Sequence, residues 1–273
     1  MTLHPTGPAG STGPAAPAGP AAPAGPTVLV DRGGPVTRLV IDRPHRQNSL
    51  TPDDVQQLRD ALESAAADPQ TRAVVLSGSG GTLCTGMDLA SVSTEEGSPG
   101  GGEFFDLLRR LTDIPVTVIA ALDGQALGGG VGLAAACDMV VATERSSFAL
   151  PEALWGLLPC NILPFLIRRT GFQRAYAMTL STAPVTAADA RTFGLVDELE
   201  GAHGQQLRRL LGRVGKLDRA TVGAAKAYCA SLSPIPETAR AHAGEVFAGL
   251  LGSPAVRARI DNYVHHQRMP WEV

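Results

Sequence analysis

Short runs of apolar residues come first along this chain and helical spacing comes later, and that order organises it. β-Branched and aliphatic positions at residues 28–30 and 36–42 flank the turn Arg32-Gly33-Gly34-Pro35, which predicts a two-stranded hairpin. Thr51 then Pro52 form an N-cap with proline at the first helical position. The helix they open is predicted to reach about residue 67, because Val55, Leu58, Leu62 and Ala65 keep helical spacing. Residues 73–76 read as a buried strand, followed by a glycine-rich loop over 78–87. Residues 91–102 are polar and glycine-rich and read as a mobile loop. A helix is predicted over 103–111 and an apolar strand over 116–122. After Gly128-Gly129-Gly130 come a short apolar helix to Cys137 and a strand over 139–142. Helices over 172–180 and 187–193, the latter ended by Gly194, lead into a region that is helical in pattern from residue 207 onward. Strand, loop and helix alternate early and helices dominate late, which is an α/β core with a helical extension.

Composition changes this picture at one end. Residues 1–26 are almost wholly Pro, Ala, Gly, Ser and Thr, and the unit Pro14-Ala15-Ala16-Pro17-Ala18-Gly19-Pro20 recurs over 20–26. Such a stretch has nothing large to bury, so it is expected to be a disordered, partly polyproline II tether. The remaining chain suits one ordinary domain, being drawn from 273 residues of which 44% are hydrophobic and 18% charged. With 26 acidic and 23 basic residues the net charge is -3, so no basic field points to nucleic acid. No apolar run reaches the roughly 18 residues of a membrane span, and no apolar leader is seen. Cys84, Cys137, Cys160 and Cys229 form no CxxC pair, which fits reduced thiols and a cytoplasmic setting. His265-His266 lacks spaced partners, so no metal is expected, and no cofactor.

Two glycine-rich segments carry the chemistry. Gly81 to Leu89 and Asp123 to Gly130 each follow a buried strand. Glycine lets backbone approach a ligand closely. Two backbone N–H groups converging from separate loops hold a developing oxyanion, each worth about 3 kcal/mol to the transition state. Glu152 follows Pro151 within an otherwise apolar stretch over 148–158, where burial would raise its pKa toward a useful value. At a helix N-terminus it would equally complement the dipole. Asp88 adjoins Met87 and is either a second carboxyl or a cap for its own loop. Cys84 and Cys160 have no histidine beside them and are not expected to act as nucleophiles. Arg168-Arg169 reads as a solvated or interface face, or else as a pair that meets an acidic carrier protein or the substrate's free carboxylate. Gly130-Val131-Gly132-Leu133-Ala134-Ala135 matches the dinucleotide pattern GxGxxA, but Glu144 follows too soon to meet a ribose and the helix is short for a parallel crossover.

Together these segments resemble the enoyl-CoA hydratase/isomerase, or crotonase, superfamily. "ALGGGVGLAAACDMVVA" (126–142) is similar to its signature, "CTGMDL" (84–89) to its other glycine loop, and "ALPEALWGLLP" (149–159) to the segment with a catalytic glutamate. "RPHRQNSL" (43–50) resembles the segment that grips the thioester arm. The resemblance covers residue 28 to the C-terminus and implies a ββα spiral core over 27–200 with a C-terminal helical oligomerisation region over 201–273. It places the oxyanion hole on the N–H groups of Met87 and Gly129, beside Gly86 and Gly130 as substrate-binding positions. It assigns the acid/base role to Glu152 and makes Gln47 a contact for the arm, with Asn161 a candidate facing the site. The usual first glutamate of the pair falls on Gly132 and is absent, which leaves Asp88 as the candidate to replace it. "FALPEALWGLLPCNILPFLIRRTGFQRAYAMTLST" (148–182) and the terminal "MPWEV" resemble more narrowly the dehydratases of polyketide β-branching cassettes. That resemblance implies removal of water from a 3-hydroxy-3-methylglutaryl group on acyl carrier protein, while the wider family resemblance implies a trimer, or trimers paired into a hexamer, whose C-terminal helices pack across subunits, with Ile260, Tyr263, Val264 and Trp271 as the face to bury. A CoA-linked hydratase or isomerase, or a decarboxylase, is the alternative.

Overall fold

The computed structural model describes residues 25–93, 102–201 and 204–272. The expected tether and the expected mobile loop fall largely on residues 1–24 and 94–101, outside the described residues.

The hairpin forms as its pattern predicts. β1 (Val28–Gly33) pairs antiparallel with β2 (Val36–Ile41), and Gly34 turns between them with φ of 63°. α1 (Pro52–Ala67) opens with a capping box: the Asp54 N–H donates to Thr51 Oγ1 at 3.2 Å and the Thr51 N–H to Asp54 Oδ2 at 2.8 Å. The spiral then begins. β3 (Ala73–Gly78) is followed by β4 (Thr82–Cys84), α2 (Leu89–Ser93) and α3 (Gly102–Asp113); β5 (Thr117–Leu122) by β6 (Gln125–Leu127) and α4 (Gly129–Ala136); β7 (Met139–Thr143) by β8 (Ser147–Ala149) and α5 (Glu152–Trp155). The first strand of each turn enters a large sheet of order β1-β2-β3-β5-β7-β10, and the second enters a small sheet of order β4-β6-β8-β9. Beyond β1 all pairings in the large sheet are parallel. This is the ββα spiral.

α6 (Leu163–Thr170), α7 (Phe172–Ser181), β9 (Val185–Thr186), α8 (Ala187–Thr192) and β10 (Glu198–Glu200) complete the core, and α9 (Gln205–Val214), α10 (Arg219–Leu232), α11 (Ala239–Leu251) and α12 (Pro254–His266) follow. α4 is buried along almost its whole length, which suits a helix that is apolar all round. Phe105 of α3 meets Phe165 of α6 edge-on, with ring centroids 5.1 Å apart.

Part of the C-terminal face expected to pack across subunits is covered within the chain. Ile260, 2% exposed, joins Leu157, Leu251 and Val256, and Val264 packs on that cluster with Met87 and Trp155. The Tyr263 ring stands against Trp155 at 5.1 Å. The reason is proximity: α5 leaves an apolar shoulder at the site, and α12 is the element that covers it. Only Trp271 of the four remains largely exposed. Arg169 likewise turns inward rather than to solvent. It donates to the carbonyls of Leu195 (3.1 Å) and Cys137 (2.9 Å) and pairs with Asp197, while Arg168 is exposed. Among the described residues, no helix is long and apolar enough to cross a membrane.

Candidate active site

The two glycine loops meet. Leu50 donates its N–H to the Gly86 carbonyl at 2.8 Å and accepts from the Asp88 N–H at 2.9 Å. In a parallel bridge, successive residues aim their polar groups to opposite sides. The Met87 N–H between them therefore faces away from Leu50. On the other loop Gly128, at φ 51° and ψ -116°, turns the chain from β6 into α4. Its carbonyl accepts from Val131 (2.9 Å) and Gly132 (3.2 Å), so Gly129 stands in the first turn, where N–H groups lack intrahelical acceptors. The loops touch so closely that a Cβ on Gly86 would lie 3.2 Å from the Gly129 nitrogen, and one on Gly129 would lie 3.2 Å from both the Gly86 Cα and Phe104 Cζ. Two backbone donors at the positive end of a helix thus converge without side chains between them.

Glu152 closes the third side. Its Oε1 would be 2.9 Å from a Cβ on Gly128, and its Oε2 is buried with no hydrogen-bond partner among the described residues. Burial, opposed only by its own backbone N–H, pushes the carboxyl up to about 7. Such a group is able to take and return a proton near neutrality. Burial also pushes the Cys84 thiol up to about 12 and raises Cys160, whose thiol further feels the Glu152 charge, so neither is an activated nucleophile.

The donors and Glu152 border a cavity of about 190 Å³ walled mainly by Leu50, Phe104, Trp155, Ile162 and Phe247. Of the expected site residues, Met87, Gly86, Gly129, Glu152 and Asn161 share this cavity. Asn161 adds a second buried, unpartnered oxygen, Oδ1. Gln47 does not reach it. With φ of 53°, Gln47 lines an outer cavity of about 400 Å³, which shares Thr85, Met87, Leu89, Pro151 and Trp155 with the inner one. Gly130 also stays outside, because it packs so tightly on β4 that a Cβ would collide with the Cys84 carbonyl.

Asp88 lies apart from Glu152, on the outer cavity. Its Oδ2 is 3.2 Å from Arg43 Nη2 and its Oδ1 accepts from the Ala90 N–H at 3.1 Å. Apolar side chains fill the space beside Gly132: a Cβ there would meet Ile162 Cγ1 at 3.0 Å and Leu108 Cδ1 at 3.3 Å. Glu103 is a further carboxyl on the wall and is exposed. Sequence reasoning passed over Arg43 and the buried Asn48. Asn48 accepts from the Arg43 N–H (2.8 Å) and donates to the carbonyls of Ser79 (3.0 Å) and Thr82 (2.6 Å). Phe104 and Phe247 were also passed over; their only signal is an aromatic residue on an otherwise ordinary amphipathic helix.

A spiral of this kind, with two glycine loops meeting beside one carboxyl, places the chain in a class of enzymes that act on acyl thioesters. Residues 31–272 match the family model described as enoyl-CoA hydratase/isomerase, and the chain belongs to that family, with its crotonase fold and hydro-lyase chemistry. Among its relatives is the bacillaene synthase dehydratase PksH of Bacillus subtilis, 29% identical over 251 residues, which are 90% of this chain and 96% of that one. A crystal structure of PksH, named there as a polyketide biosynthesis enoyl-CoA hydratase, superposes with a TM-score of 0.85 at 28% identity, covering 89% of this chain and 99% of that one. An enoyl-CoA hydratase from Mycobacterium avium gives a TM-score of 0.78 at 31% identity over 89% of this chain and 98% of that one.

Proposed function

We propose that the protein is a cytoplasmic dehydratase that removes water from a 3-hydroxy-3-methylglutaryl thioester on acyl carrier protein, giving the 3-methylglutaconyl thioester. The observation that carries the reading is the Glu152 carboxyl beside the two meeting glycine loops, its Oε2 buried with no hydrogen-bond partner among the described residues. The relative PksH, a dehydratase of a polyketide synthase, supports the substrate class. The thioester oxygen accepts from the N–H groups of Met87 and Gly129 as negative charge develops on it. The Glu152 carboxylate takes the C2 proton. The enolate then expels the C3 hydroxyl, which leaves as water with the proton that Glu152 returns. One carboxyl performs both transfers, because Ile162 and Leu108 fill the place beside Gly132. Asp88, paired with Arg43, moves no proton. The thioester arm runs through the outer cavity past Gln47, and Asn161 holds the acyl group or the departing hydroxyl.

One observation favours a second reading, a CoA-linked enoyl hydratase for an uncharged acyl chain. The described residues lining the inner cavity include no Lys, Arg or His to meet a terminal carboxylate. Product mass separates the two. The dehydratase removes water from carrier-linked 3-hydroxy-3-methylglutarate in preference to its CoA ester, whereas loss of carbon dioxide or no change in mass refutes it.

The proposal includes a homotrimer or a pair of trimers. α7 presents Phe172, Tyr176 and Leu180 on one exposed face, 64%, 48% and 60% accessible, with the first two rings stacked at 5.6 Å. That face is a further surface, beside the C-terminal helices, for a second copy to cover.

A further inference from the structure

One guanidinium is shared by two buried carboxylates directly behind the Met87 donor. Arg43 Nη1 lies 2.8 Å from Asp54 Oδ2 and Arg43 Nη2 lies 3.2 Å from Asp88 Oδ2. The three side chains are only 13%, 3% and 10% exposed. Arg43 Nη1 also donates to the Ser49 carbonyl. Asp54 is already committed: Thr27 Oγ1 donates to its Oδ1, and Thr51 donates to its Oδ2 from both N–H (2.8 Å) and Oγ1 (2.7 Å). Asp88 has fewer ties, because besides Arg43 its carboxylate has the Ala90 N–H. The backbone that Arg43 grips at Ser49 continues into Leu50, and Leu50 clamps Gly86 and Asp88 on either side of Met87.

Two consequences follow. The planar fork of an arginine spans two carboxylates and a carbonyl at once, which a lysine cannot do, so it fixes the loop geometry. Its charge also offsets a carboxylate that sits one residue from the N–H meeting the oxyanion. Left unpaired at low dielectric, that carboxylate would oppose negative charge growing on the thioester oxygen.

We propose that Arg43 is a positioning residue for the oxyanion hole: it cancels the Asp88 charge and holds the Met87 N–H on the thioester oxygen. This rests on the thioester reading of the site. The role predicts a specific coupling. Arg43→Gln should lower kcat by about 100-fold with KM changed less than about threefold, since the field acts on the transition state. Adding Asp88→Asn removes the stranded charge and should restore kcat at least about tenfold over Arg43→Gln alone. A purely structural Arg43 would give the opposite result, because the double variant loses the remaining Asp88 contact as well.

The test reads the carbonyl directly as well as turnover. Butyryl-pantetheine labelled with ¹³C at the thioester carbon is bound to the full-length protein, and its C=O stretch is followed by isotope-edited infrared spectroscopy. The stretch should fall on binding to the wild type, fall less with Arg43→Gln, and recover most of its displacement in Arg43→Gln/Asp88→Asn. Arg43→Lys, which keeps a cation but not the fork, should be intermediate and serves if Arg43→Gln does not fold. A wild-type shift and kcat in either single variant, or a double variant no better than Arg43→Gln, would overturn the proposal. If the wild type itself shows no shift, the thioester reading fails, and the role of Arg43 with it.

Discussion

Replacing Glu152 by Gln should make the protein more stable and less active, and the stability gain should depend on pH. In the unfolded chain this carboxyl ionises at its ordinary value of 4.5, but in the folded protein burial holds it at about 7. Between those values the folded state binds the proton and the unfolded state does not. Stability is therefore lost as pH rises from 4.5 through 7 and stays lost above it. Each pH unit between the two values is worth 1.36 kcal/mol, so the cost above pH 7 is about 3 kcal/mol. Among the described residues Oε2 has no hydrogen-bond partner to offset this. Glu152→Gln removes the cost, since its amide does not ionise. Its melting temperature should exceed that of the wild type by roughly 6 °C or more at pH 8, and the difference should shrink toward zero near pH 4.5. Wild-type kcat/KM should fall about tenfold per pH unit below 7, because the base must be ionised to take the C2 proton. Thermal scans at a series of pH values with matched ionic strength measure the first claim. A stability difference that does not change between pH 5 and pH 8 would refute the burial argument and the role built on it.

Three further outcomes check other parts of the account. Gly129→Val should lower kcat by at least about 100-fold, because its side chain has no room between Gly86 and Phe104 and must displace the donor; steady-state kinetics on folded protein decides. Gly132→Ala should cost about 1–3 kcal/mol by overpacking against Ile162 and Leu108, and adding Ile162→Ala should recover part of that loss in chemical denaturation. Tyr176→Glu should split the oligomer in sedimentation velocity, whereas Trp271→Ala should leave it intact.

The sequence made legible those parts of the fold whose physics is local. The Thr51-Pro52 start of α1, the Gly34 turn and the two glycine loops need only neighbouring residues to specify them, and the structure places each where the pattern does. The burial around Glu152 was legible because its neighbours over 148–158 are apolar, whereas its position at the start of α5 left the dipole reading equally open. The small sheet was not. β4, β6 and β8 have three residues each, too few to show an alternation. Long-range pairing was also hidden. Nothing local links Arg43 to Asp54 and Asp88, so Asp88 read as either a second carboxyl or a loop cap; it accepts from the Ala90 N–H as a cap would, and its pairing with Arg43 was not foreseen. The apolar face of α12 was visible, but that part of it rests on the shoulder left by α5 depends on a long-range contact that no local pattern carries.

The central claim is that a single buried carboxyl drives loss of water from a carrier-bound acyl group. It is tested most directly by the intact mass of 3-hydroxy-3-methylglutaryl carrier protein followed over time with wild-type enzyme and with folded Glu152→Gln. The account requires the wild type to remove one water at least about 100-fold faster than the variant. Equal rates of water loss from the two proteins would contradict it.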